Sequence, residues 1–222
     1  MLFLAINNGE SKHIKFVRIS ALNTAFTFEY SFLLIRIYYL IKYFTGEIMK
    51  RSIRLGQFLG FSVTSLGGTL LHFLYEWLGE AVWIAPISGV NESTWEHMKL
   101  LFWPMFFYAI IQSLFFRDRE DFWCVKLRGV LLGLILIPVI FYTYNGVIGR
   151  SPDWINIAIF FISAAIAYIY ETRRFNTKKI CCKSPKLAIV ALCVIALLFV
   201  VITFATPNIG IFKDPLTETY GI

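Results

Sequence analysis

The sequence predicts an all-α fold, a polytopic bundle of about five membrane-spanning helices, and three observations lead there. Of 222 residues, 58% are hydrophobic and only 16% charged, where soluble domains carry about 25% charged residues. Twenty-two Phe, eleven Tyr and six Trp suit rings that face lipid and line the headgroup zone. Lys and Arg, finally, are distributed unequally between alternate loops.

A bilayer core needs about 20 mostly apolar residues per helix. Leu55–Leu78, Gly129–Ile148, Trp154–Tyr170 and Leu187–Thr206 meet that need directly. Leu100–Phe116 is shorter, and the preceding Trp95–Lys99 stretch brings it to full length by continuing the same helix into the interface. Residues 49–222 thus form a single transmembrane domain.

Residues 1–48 fit less well. Ala21–Phe44 reads as a sixth apolar segment, yet it contains Glu29, Arg36 and Lys42. Met49 is followed by Lys-Arg-Ser-Ile-Arg and the first good span, as at a natural bacterial N-terminus. The expectation is that translation starts at Met49, and that 1–48 is an extension or a membrane-surface segment. No compact apolar core with a small-residue cleavage site marks a signal peptide.

The basic residues set the expected orientation. Lys50, Arg51 and Arg54 precede the first span. Residues 117–128 add four more, and residues 171–186 another six. Thirteen on this side face three on the other, Lys99, Arg150 and Lys213. The positive-inside rule then puts the region near residue 50 in the cytoplasm and the C-terminus outside, in the cell membrane. A net charge of +7 is thereby explained without nucleic acid, and the expected partner is the lipid bilayer. Cys124, Cys181, Cys182 and Cys193 have no zinc-ribbon or redox spacing and are expected to be unspecialised thiols on a reducing face.

Ionisable residues inside a span are costly and mark candidate sites. In the first span, Ser62, Ser65, Thr69, His72 and Glu76 recur at helical spacing and predict one polar face. Gly56, Gly60, Gly67 and Gly68 predict close helix packing beside it. A second cluster, Asn91 to Lys99, precedes the second span. Ser93 and Glu96 have the spacing of a capping box, and Glu92 suits a helix N-terminus. Capping does not call for His97 or Lys99. His72, Glu76, Glu92, Glu96 and His97 are therefore the candidate catalytic residues, and the same five are candidate ligands for a divalent metal such as zinc. Their spacing matches no His-Glu-x-x-His motif, and no Gly-x-Ser-x-Gly elbow or phosphate loop is present. Acid–base or metal-assisted hydrolysis at the outer interface is one expectation. A small-solute or ion transporter, a binding component, and a structural membrane subunit are the alternatives. Pro138, Tyr142 and Asn145 share a helix face, and a kink at Pro138 is expected to turn the latter two inward. The turn-rich tail from Pro207 either packs over the outer cluster or frays.

The runs His72-Phe-Leu-Tyr-Glu76-Trp and Val90-Asn-Glu-Ser-Thr-Trp-Glu-His-Met-Lys99 resemble an uncharacterised bacterial membrane-protein family, domain of unknown function six-five-one-two. The closing Phe212-Lys-Asp-Pro-Leu-Thr-Glu-Thr-Tyr-Gly-Ile222 is similar to its C-terminal signature. The resemblance covers about 49–222. It implies a multi-pass membrane protein and supports the choice of residues, but carries no assigned activity.

Overall fold

The computed structural model describes residues 36, 39–40, 51–116, 119–149, 152–177, 182 and 184–222. The chain divides into two units, Met1–Arg51 and Ser52–Ile222. Most of the first, with the expectations for Ala21–Phe44 and for a start at Met49, lies outside the described residues.

The larger unit is built of helices. We label them α1 (Arg51–Trp77), α2 (Thr94–Ser113), α3 (Phe122–Ile148), α4 (Asp153–Asn176) and α5 (Pro185–Phe204). A 3-10 turn, Gly210–Phe212, follows. Four of the five, α1, α3, α4 and α5, are long and apolar enough to cross a membrane. The fifth, α2, carries Glu96, His97 and Lys99 in its first turns and falls short on composition.

What α2 lacks in apolar length it makes up in position. Leu100, Leu101, Phe102, Trp103 and Met105 are all buried, and they form the middle of the main core with Leu134, Phe160, Ala164, Ala167 and Phe199. Apolar side chains also face outward, among them Phe58 and Leu66 of α1, Phe107 and Ile111 of α2, and Leu197 and Leu198 of α5. An apolar exterior over a core knitted by one central helix suits a bundle whose solvent is lipid. The protein is accordingly an integral, multi-pass membrane protein.

Close approach of α1 depends on its glycines, as expected. A Cβ on Gly60 would stand 2.6 Å from the rings of both Tyr108 and Tyr168, one on Gly67 3.2 Å from Pro104, and one on Gly68 would run into Phe160. The packed face of α1 differs from the expected hydroxyl face. Thr64 and Gly68 are buried, whereas Thr69 and Glu76 are exposed. Ser62 and Thr69 satisfy their hydroxyls on the carbonyls of Phe58 and Ser65 in their own helix, so neither needs a partner across a seam.

Two helices start or stop at places that the charges concealed. Helix α3 begins seven residues before Gly129, and α4 runs six beyond Tyr170. Lys126 and Glu171, which read as loop charges, lie inside these extensions and form a buried ion pair at 2.6 Å. Beside them Arg119 makes two 2.9 Å bonds to the Asp121 carboxylate and donates to the Phe175 carbonyl at 2.8 Å, tying the α2–α3 loop to the end of α4. We call this end, where α1, α3 and α5 begin, the basic end. The sulfurs of Cys124 and Cys182 are placed there within bonding reach, with Cα atoms 6.1 Å apart, a pairing that the expectation of unspecialised thiols did not include. Their separation of 58 residues hid the proximity. Cys193 is a free, exposed thiol, and Cys181 lies outside the described residues.

Candidate functional site

At the opposite end, the loop between α1 and α2 folds back against both. Gly79, at φ +65°, ends α1 in the left-handed conformation that glycine adopts without strain. Ile84 and Ala85 are buried, and Trp103 donates its indole N–H to the Pro86 carbonyl at 2.9 Å. The chain then returns to His72: the amide of Gly89 bonds the Leu71 carbonyl at 3.2 Å. This return brings the two sequence clusters together.

Three of the five candidate residues meet. His72 Nε2 lies 3.3 Å from one carboxylate oxygen of Glu92, and His97 Nε2 lies 3.7 Å from the other. The imidazole centroids are 5.9 Å apart, so one carboxylate lies between two rings from different helices. His97 Nδ1 stands 3.0 Å from the carbonyl of Ser93. A carbonyl only accepts, so Nδ1 carries the hydrogen and fixes the tautomer. When that imidazole is neutral, Nε2 offers a lone pair towards Glu92, and the cluster lacks one donor.

The other two candidates are placed elsewhere. Glu76 is exposed, out of the cluster. Glu96 is buried and ion-paired with Lys99 at 2.5 Å. Lys99 Nζ also donates to the Ala85 carbonyl at 2.8 Å and to Thr203 Oγ1 at 3.2 Å, and its side chain is fully buried. Glu96 therefore anchors loop to helix. Only half of the expected capping box forms. Ser93 accepts from the Glu96 amide at 3.4 Å, but the Glu96 carboxylate takes the Val90 amide at 3.0 Å, and Asn91 Oδ1 accepts from Ser93 N–H.

The structure does not bring all five expected zinc ligands into one set. Among the described residues, no group of three or more His, Cys, Asp or Glu side chains is arranged to hold a metal ion. With Glu96 committed to Lys99 and Glu76 facing out, the five-residue donor set is not assembled.

The cluster instead forms the polar wall of a cavity of about 260 Å³, between α1, α2 and α4. Gly68, Phe73, Leu100, Phe160 and Phe161 supply apolar lining, and Leu216 reaches in from the C-terminal tail. The glycine at 68 leaves the space that a side chain would fill. Asn156 lines this cavity beside His97; sequence reading missed it, because a single Asn near a helix start is an unremarkable signal.

The tail is packed over this end. Asn91 Nδ2 donates to the Gly221 carbonyl at 3.0 Å, Tyr142 donates to the Gly210 carbonyl at 3.1 Å, and Phe212 stacks edge-on against Trp95 at 5.0 Å. Asp214 holds the Leu216 amide and the Thr217 hydroxyl, both at 2.8 Å. Tyr142, exposed, thus clasps the tail instead of turning inward, and Asn145, half-buried, bonds the Phe141 carbonyl of its own helix.

No curated protein and no solved structure matches the chain. A family profile does, over residues 52–222, and by it the chain belongs to the family of unknown function DUF6512.

Proposed function

We propose that His72, Glu92 and His97 form a membrane-embedded acid–base site that hydrolyses an amphiphile admitted to the adjoining cavity. One observation carries this reading: a carboxylate held between two imidazoles, on the wall of a cavity otherwise mostly apolar. An apolar pocket with a few convergent polar groups is the usual form of a small-molecule site. Its opening among helices suits a substrate with an acyl chain, whose polar end would come to rest at the cluster.

In this scheme His97 Nε2 is the general base. It takes a proton from water as the water oxygen attacks the acyl carbon. Glu92 stabilises the imidazolium that forms, and the same proton returns to the leaving alkoxide as the C–O bond breaks. His72 holds Glu92 from the far side and positions it. The basic end then lies in the cytoplasm and this site at the outer face, following the bias of Lys and Arg.

Hydrolysis of p-nitrophenyl esters of graded chain length, by protein in lipid nanodiscs, tests the reading. Glu92→Gln and His97→Ala are expected to lose the rate above background by about 10²-fold or more, the scale of general acid–base catalysis. Equal rates in wild type and both variants would overturn it.

A second reading, passage of a small solute or ion, has one observation in its favour. Gln57, Gly60, Thr64, Gly68 and His72 follow one another at helical spacing along the packed face of α1. Polar positions therefore recur from near the basic end to the His–Glu cluster.

A further inference from the structure

The half of the bundle nearer its basic end holds polar groups for which the His–Glu site has no use. Gln57, Gln112 and Glu171 are 2%, 3% and 0% exposed. Among the described residues, both amide atoms of each glutamine, and Oε1 of Glu171, have no hydrogen-bond partner. Buried polar atoms are seldom left in that state without an ordered water or ligand beside them.

These groups belong to one region. A Cβ on Gly56 would stand 3.3 Å from Gln112 Nε2, and the Tyr108 hydroxyl donates to the Gly56 carbonyl. Gly60 lies against the rings of Tyr108 and Tyr168. Lys126 Nζ, paired with Glu171 Oε2, stands 5.7 Å and 5.4 Å from those two ring centroids. Gln57 shares its α1 face with Gly60 and Thr64, and Thr64 is bonded to the Tyr168 hydroxyl at 2.8 Å. Four helices, α1 to α4, contribute.

The unmet atoms are two amide nitrogens that donate and three oxygens that accept. An apolar guest would satisfy none of them. A cation is disfavoured, because Lys126 already neutralises Glu171. Water both donates and accepts, so it matches a mixed set. We propose that Gln57, Gln112 and the Lys126–Glu171 pair form a second site, an internal hydration site that holds ordered water in the basic half of the bundle. Buried water bridging otherwise unsatisfied groups is a structural component, and its removal is costly. The site stands independently of the hydrolytic reading, since it uses none of the same residues.

Radiolytic hydroxyl-radical footprinting of the full chain in nanodiscs, read by mass spectrometry, tests this. Radicals form from bound water and mark the side chains beside it. After correction for intrinsic reactivity, Tyr168, which is 3% exposed, is expected to be modified at least fivefold faster than the similarly buried Phe102 and Phe199. Gln57→Leu with Gln112→Leu is expected to remove that excess. Labelling of Tyr168 at the rate of Phe102 and Phe199 would overturn the proposal, and that wild-type comparison stands even where the variant fails to fold. Thermal unfolding supplies a second readout. In a dry site, leucine at both positions would raise the midpoint by removing unsatisfied amides, and such a rise would also overturn the proposal; a fall is expected.

Discussion

Replacing Lys99 by Met should destabilise the protein more than replacing Lys99 and Glu96 together. Lys99 Nζ uses all three of its donors, on Glu96, Ala85 and Thr203. Lys99→Met leaves the Glu96 carboxylate buried with only the Val90 amide for company. Stranding one member of a buried pair costs about 3–5 kcal/mol. In the double variant, Lys99→Met with Glu96→Gln, no charge is left behind, and the side-chain amide oxygen introduced at position 96 can still accept from Val90. Thr203 loses a donor but keeps its own bond to the Phe199 carbonyl at 2.8 Å. The remaining loss is the Ala85 carbonyl, worth about 1–3 kcal/mol if no water reaches it. The double variant should therefore regain on the order of 2 kcal/mol over the single one. Unfolding by SDS titration or heat, in one detergent, supplies all four corners of the cycle. A Lys99→Met cost below about 1 kcal/mol, or a double variant worse than the single, would refute the buried pair.

Three further outcomes follow from the geometry. Gly60→Ala puts a methyl group 2.6 Å from two tyrosine rings and should cost about 1–3 kcal/mol by overpacking, whereas Gly146→Ala, with nothing near its Cβ, should be neutral or slightly stabilising in the same unfolding assay. If the basic end is cytoplasmic, Cys124 and Cys182 should be alkylated as free thiols by N-ethylmaleimide added to intact cells and pair only after lysis in air; a bond already present in anaerobically quenched cells would place that end in an oxidising compartment. Gly221→Ala forces a Cβ to 2.7 Å from Thr206 Oγ1 at a backbone φ of +72°, so the tail should lift, and limited proteolysis should then cleave within 207–222 faster than in wild type.

Much of the fold was legible because lipid imposes a simple code. Apolar length located α1, α3, α4 and α5, and the glycines of α1 announced its close contacts. What misled was charge inside the helices. Lys126 and Glu171 counted as loop residues because the partner that offsets the cost of burial lies on another helix, 45 residues away, and Lys99 because two of its three acceptors, Ala85 and Thr203, lie outside its own helix. A sequence shows the charge and hides the partner. The same limit applied to the site. His72, Glu92 and His97 share the chemistry of Glu96, and only the fold separates Glu92, which meets the histidines, from Glu96, which Lys99 and the Val90 amide hold. Gln57 and Gln112 passed unnoticed, since a single glutamine in an apolar run disturbs neither hydropathy nor period.

That His72 and His97 act through one carboxylate is tested most directly by comparing ester hydrolysis in His72→Ala, His97→Ala and the double variant. Residues that act as a unit give non-additive losses. The double variant should be no slower than His97→Ala alone, within about twofold. Losses that multiply, with the double variant slower by the product of the two single effects, would contradict a shared site.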